Sequence, residues 1–300
     1  MTSQAQKPTG NPIIRHKYTC DPTVLVFNGI VYLYTGHDEA PEGLEDYVMS
    51  EWLCFSSSDM KTWTEHPVPL KAADFSWAKG DAYASKVIER NGNFYWYVAV
   101  SHADGTAIGV AVSSRPDGPF KDAKGAALIT RDMLPPTENK KANLDPSVII
   151  DDDGKAYIFW GNGECFYAPL EENMTALSGP IKKLDLPFFE EGAHIHKRNG
   201  WYYLSYGYQM PEKVAYAMSR SIHGPWEFKG ILNEIAGNCN TNRPAIIDFK
   251  GKSYFFYHNG ALKGGGSHRR SVCVDYLNYE ADGSLRPVIM SSEGVAAVEV

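Results

Sequence analysis

Asp21, Asp145, Glu191 and Asn242 each stand eight to ten residues before a turn glycine. In one further unit that place falls to Tyr83, with Asp81 two residues upstream. If these units share one axis, three or four carboxyl groups meet in a small volume. Such a meeting costs charge repulsion and desolvation, and it implies a use. A carboxyl that is partly buried, or set beside a carboxylate, keeps its proton into the neutral range, so one group can give a proton while another takes one. Two of the acids precede proline (Asp21-Pro22 and Asp145-Pro146). A following proline disfavours helical backbone, which predicts extended geometry at both acids.

The elements that position these acids are read from an internal repeat. The run Leu186-Pro-Phe-Phe-Glu-Glu-Gly-Ala-His-Ile-His-Lys-Arg-Asn-Gly-Trp-Tyr-Tyr-Leu-Ser-Tyr206 joins two β-rich stretches through Asn-Gly, a strong hairpin signal because such a turn needs positive φ. Four more copies occupy residues 20–34, 80–97, 144–160 and 242–257. Their turn glycines are Gly29, Gly92, Gly154, Gly200 and Gly251, separated by 63, 62, 46 and 51 residues. A third β-like run follows each hairpin: 52–59, 107–113, 165–170, 214–219 and 271–276. A fourth, outer strand is predicted after each tail, as at Trp226-Glu-Phe-Lys229. Units of three or four antiparallel strands at this spacing are the size of propeller blades. No long segment keeps a 3.6-residue period. The prediction is an all-β chain, a five-bladed β-propeller over residues 11–300, with loops at 36–50, 64–79, 121–143 and 260–268 and a flexible leader at 1–10.

Composition narrows the function. The net charge of -7 and the absence of any basic cluster beyond Arg269-Arg270 argue against a nucleic-acid partner. No apolar run approaches the roughly 20 residues of a membrane helix. Five widely spaced cysteines carry no CxxC or zinc-ligand pattern and read as buried free thiols. The polar leader contains no signal-peptide core. A secreted or periplasmic location would therefore require that a signal had been removed; otherwise the chain is cytoplasmic. The 18 Tyr and 7 Trp suit a β protein, and they also suit sugar binding.

The Asp-Pro near the start, Leu144-Asp-Pro-Ser147 in the middle and Glu191-Gly-Ala-His194 later resemble glycoside hydrolase family 43. The resemblance covers essentially the whole chain. Tyr34-Thr-Gly-His-Asp-Glu39, Phe75-Ser-Trp-Ala-Lys-Gly-Asp81 and Trp160-Gly-Asn162 look most like its arabinofuranosidase side. One departure is Ala193, where the family's usual motif has proline. The resemblance implies an inverting hydrolase of plant cell-wall oligosaccharides or polysaccharides. In it Asp21 is the general base, Glu191 the general acid, and Asp145 the residue that orients Glu191 and raises its pKa. An inverting pair needs carboxyls about 6.5–9.5 Å apart, with water between base and sugar.

Supporting positions follow from the same resemblance. Arg270 falls where an arginine grips the terminal sugar, with Arg269 expected to point the other way. Asn242 could hydrogen-bond that sugar. Trp77, Tyr83 and Trp160 could supply flat walls, or could simply pack between blades. Asn162 and His37 are further substrate-binding candidates. His258 resembles a histidine that holds a hydrated cation, such as calcium, in the channel of some members; no other cofactor is implied. The leading reading is an exo-acting α-L-arabinofuranosidase on arabinoxylan or arabinan. A β-xylosidase, an endo-arabinanase, an exo-galactanase and a non-catalytic glycan-binding propeller are the alternatives.

Overall fold

The computed structural model describes residues 10–299, so residues 1–9 of the expected leader lie outside it. Gly10 itself is buried, close against the carbonyl of Ser292.

Five antiparallel sheets follow one another along the chain. Blade 1 contains β1 (Thr19–Phe27), β2 (Ile30–His37), β3 (Glu51–Ser57), β4 (Thr64–Glu65) and a short β5 (Leu70–Lys71) that also pairs with β3. Blade 2 contains β6 (Gly80–Arg90), β7 (Asn93–His102), β8 (Gly105–Ser113) and β9 (Lys121–Asp122). Blade 3 contains β10 (Ser147–Ile150), β11 (Ala156–Asn162), β12 (Glu164–Leu170) and β13 (Lys182–Leu184). Blade 4 contains β14 (His194–Arg198), β15 (Trp201–Tyr208), β16 (Lys213–Ser219) and β17 (Glu227–Asn233). Blade 5 has three strands, β18 (Ala245–Phe249), β19 (Lys252–Asn259) and β20 (Ser271–Leu277).

The expected fourth strand is thus missing from blade 5 as a sequential element. The chain start takes its place beside β20: Ile13 N–H donates to Val272 O and Thr19 N–H to Arg270 O, both at 2.9 Å. Asn11 adds side-chain bonds to both backbone groups of Val274. Joining the chain's beginning to its last blade closes the ring and covers a sheet edge that would otherwise be open.

Strand periodicity explains why these blades stack. Successive side chains point to opposite faces of a strand, so neighbouring residues enter different seams. Leu33 packs between blades 5 and 1, and Tyr34 between blades 1 and 2. Trp96 and Tyr97, Ile158 and Phe159, Tyr202 and Tyr203, and Phe255 and Phe256 divide in the same way. Five hydrophobic clusters result, one per seam, and they absorb most of the aromatic content. All five cysteines are free and buried, as expected. The predicted loops at 64–79 and 121–143 contain β4, β5, β9 and two single 3-10 turns.

The inner strands β1, β6, β10, β14 and β18 surround a central channel. Their first residues gather at one mouth and their last residues at the other.

Candidate active site

Asp21, Asp145 and Glu191 line one cavity of about 180 Å³ at the mouth where the inner strands begin, together with Tyr47, Tyr83, Asn162, Thr241 and Arg270. The backbone that presents two of the acids differs from the extended geometry expected before proline. Asp21 has φ 48° and Asp145 φ 56°, and Asp81, at the head of blade 2, has φ 54°. Proline at the next position disfavours right-handed helix but leaves the left-handed region open, and Asp tolerates that region better than most residues. In β1 the pairing with β2 slips between Cys20 and Thr23, which turns the acid out of the ladder.

Each acid has its own set of partners. Asp21 Oδ1 accepts from Arg270 Nη1 at 3.0 Å, and its backbone N–H donates to His258 Nδ1 at 3.1 Å. Asp145 Oδ2 accepts the backbone N–H of Gly192 at 2.7 Å, and its Oδ1 lies 3.5 Å from Arg243 Nη1. Glu191 Oε2 accepts from Asn162 Nδ2 at 2.7 Å. Arg270 is held in turn by Asp38, through Nε to Oδ2 at 2.9 Å and Nη2 to Oδ1 at 3.0 Å. Its guanidinium lies over the Tyr47 ring, 4.9 Å from the centroid.

These surroundings divide the acids electrostatically. Burial, followed by the charge of Asp145, lifts Glu191 to about 8, so it holds its proton at neutral pH. Burial lifts Asp145 only to about 6, because the Arg243 guanidinium pulls the other way. Asp38 stays below the ordinary range, since Arg270 outweighs the cost of its burial. A fourth acid, Glu212, is buried nearby. Burial and then the Glu191 charge push it well above the ordinary range, and its Oε2 accepts the Asn242 N–H at 2.7 Å. A protonated Glu191 beside Asp145, with Asp21 held on a fixed arginine, places acid and base candidates around a single cavity.

The sequence matches the family model of glycosyl hydrolases family 43 over residues 9–285. The chain belongs to that family. An arabinoxylan arabinofuranohydrolase of Bacillus subtilis (strain 168) is 30% identical over 96% of this chain, which spans 66% of that protein's length. A xylosidase/arabinosidase of Humicola insolens is 29% identical over 91% of this chain and 98% of its own. Among solved structures, a family 43 β-xylosidase/α-arabinofuranosidase from a compost microbial metagenome, in complex with xylotriose, superposes with a TM-score of 0.85 at 27% identity, covering 95% of this chain and 98% of that one. An α-L-arabinofuranosidase from Clostridium thermocellum ATCC 27405 superposes with a TM-score of 0.79 at 32% identity, with the same coverage. These family 43 structures share the propeller architecture found here.

Within this family 43 chain, the remaining positions that the sequence points to separate into two groups. Tyr83, Asn162 and Arg270 line the cavity with the three acids. The others lie outside it. Trp160 is fully buried in the seam between blades 2 and 3, where its Nε1 donates to Asn143. Trp77 packs against Phe75 and Gly109, and its Nε1 donates to Asp122. His37 faces Glu51 at 3.2 Å. Asn242 is buried, with its amide nitrogen on Asn233 Oδ1 at 3.2 Å. The two tryptophans are absorbed by packing because flat apolar area serves a seam as well as a sugar. Arg269 does point away from the site, to the carbonyls of Pro41, Leu44 and Gly264.

Asp38, Thr241 and Arg243 were not assigned from the sequence. Asp38 sits inside the quoted Tyr34–Glu39 stretch, and Arg243 beside Asn242, but neither carries a local signal of its partner.

His258 does not fit a cation ligand in this arrangement. Its Nδ1 lone pair accepts the Asp21 N–H, so Nε2 carries the hydrogen and donates to Thr241 O at 2.9 Å. Burial holds the ring neutral, down to about 4, and no lone pair is left for a metal. Among the described residues no group of three or more His, Cys, Asp or Glu gathers as a metal site. His258 instead fixes the backbone of Asp21.

Proposed function

We propose that this chain is an inverting, exo-acting glycoside hydrolase that removes single arabinofuranosyl residues from plant cell-wall arabinoxylan or arabinan. The observation that carries the acid–base part is the contrast between Glu191, kept protonated, and Asp21, held against the Arg270 guanidinium. The exo part rests on the cavity. Its volume of about 180 Å³ lies below the ~300–1,000 Å³ typical of sites for drug-sized ligands, and it suits one sugar ring better than a chain.

In this reading Asp21 takes a proton from water while the water oxygen bonds to the anomeric carbon. The glycosidic C–O bond breaks, and Glu191 gives its proton to the leaving oxygen. Asp145 keeps Glu191 protonated until that step and holds Gly192, the next residue, by its N–H. Arg270 has its Nη1 on the base, where it can also meet hydroxyls of the sugar. The names of the relatives, arabinoxylan arabinofuranohydrolase and xylosidase/arabinosidase, keep β-xyloside hydrolysis as the second reading.

The test is release of 4-nitrophenol from aryl α-L-arabinofuranoside and aryl β-D-xyloside. Wild type is compared with Asp21→Ala and Glu191→Ala, and the anomer of the first-formed sugar is followed by NMR. Arabinoside cleavage with inversion, reduced at least about 10³-fold in both variants, is expected. Faster cleavage of the xyloside would replace the substrate assignment. Unchanged rates in Glu191→Ala would remove the acid–base assignment.

A further inference from the structure

A second cavity, of about 640 Å³, opens at the other mouth of the channel and is lined by the ends of all five inner strands. Arg243 of blade 5 separates the two mouths. It reaches across the channel to the carbonyls of Ser85 and Pro146, at 3.2 and 2.9 Å.

Thr23, Lys86, Ser147, His194 and Ala245 pair with Tyr34, Tyr97, Phe159, Ser205 and Phe256 of the second strands. These equivalent pairings place the five at one level of the inner wall. Four of the five are uncharged. His194 accepts the Ile246 N–H at Nε2, and burial holds it well below its ordinary range, so it is neutral. Lys86 is the one cation at this level, and it lines the second cavity.

Among the described residues no carboxylate pairs with Lys86. Of the carboxylates on the same cavity wall, Glu89 accepts its own turn's Gly92 N–H at 2.6 Å. Asp152 pairs with Lys197 at 2.8 Å, and Asp248 with Arg198 at 2.6 Å. Above Lys86, Arg243 has Asp145 at 3.5 Å and leaves Nε and Nη1 without a hydrogen-bond partner. Burial and the Arg243 charge together pull Lys86 down to about 8, with no acid among the groups that act on it. A second polar atom on this wall is also unanswered. His196 meets Tyr279 Oη through Nε2 at 3.0 Å, and its buried Nδ1 has no partner. When Nε2 accepts the phenol hydrogen, Nδ1 presents an N–H. An ammonium without a carboxylate partner and an N–H facing the same cavity form a place where an oxyanion can accept hydrogen bonds from both.

We propose that the channel mouth opposite the catalytic cavity is an anion site, in which a small tetrahedral oxyanion of the phosphate or sulfate type sits on Lys86 Nζ. The site is separate from the hydrolytic machinery and stands whatever glycan that machinery accepts.

Inorganic phosphate is the probe. It is titrated into the full chain by isothermal calorimetry and by thermal melting, with sodium chloride at matched ionic strength as control. One saturable site is expected, with a rise in Tm of a few degrees. Both are expected to vanish in Lys86→Met and to persist in Lys86→Arg. No saturable binding to wild type, or equal binding to Lys86→Met, overturns the proposal. A second measurement needs no variant: acylation of Lys86 by a water-soluble active ester, read by mass spectrometry. Saturating phosphate is expected to slow labelling of this lysine at least about tenfold relative to surface lysines, and an unchanged ratio overturns the proposal.

Discussion

Asp145 Oδ2 accepts the backbone N–H of Gly192 at 2.7 Å, so the carboxylate that raises the pKa of Glu191 also holds the residue that follows it. One short contact between blades 3 and 4 thereby holds the proposed general acid in place, while burial first and then the Asp145 charge keep it protonated. The Asn162 amide acts on the same carboxyl in the opposite electrostatic sense, by donating to Oε2.

Two substitutions should therefore move one pH limb in opposite directions. If Glu191 is the general acid as proposed, the alkaline limb of kcat/KM should report loss of its proton, near pH 8 in wild type. Asp145→Asn removes the like charge and should shift that limb to lower pH. Asn162→Ala removes a bond that favours the ionised form and should shift it to higher pH. A pH–rate series on an aryl glycoside measures both, and shifts in the same direction would contradict the electrostatic account.

The same carboxyl should destabilise the fold at alkaline pH. Its folded value of about 8 lies above the ordinary 4.5, so the folded state binds more protons than the unfolded state between those values. Stability from this group is fully present below about pH 4.5 and is lost as pH rises toward 8. Glu191→Gln has no such titration. Its Tm should exceed that of wild type at pH 8 by a few degrees, with the gap narrowing near pH 5. Thermal melts at the two pH values check this.

Arg270 and Asp38 form a buried two-bond pair, and removing Asp38 leaves the buried guanidinium with Asp21 as its one remaining carboxylate partner. Asp38→Ala should cost about 3–5 kcal/mol of stability by chemical denaturation. It should also lower kcat/KM, because Arg270 would then be free to turn away from Asp21. The double variant Asp38→Ala/Arg270→Met should recover part of the stability and none of the activity.

The blades and the three acids were legible in the sequence because both obey short, local rules. A hairpin is encoded within about fifteen residues by alternation and a turn glycine, and five such hairpins at similar spacing imply a closed ring. The acids could be aligned by their offset from those glycines. The backbone at Asp21 and Asp145 was misread as extended, because the slip in the ladder that accompanies Asp21 is set by cross-strand pairing.

What the sequence determined by itself is therefore the repeat, the number of blades and the ends of the strands that bear the acids. Tertiary structure alone decided which aromatic groups face a sugar-sized cavity and which fill a seam: Tyr83 lines the cavity, and Trp160 is buried between blades. It alone joined Arg270 to Asp38 across 232 positions, turned His258 toward the Asp21 backbone, and left Lys86 unpaired with any carboxylate among the described residues. The physical reason is range. Strand and turn preferences act between neighbours in the chain, whereas burial and Coulomb interaction act between neighbours in space, which exist only once the ring has closed.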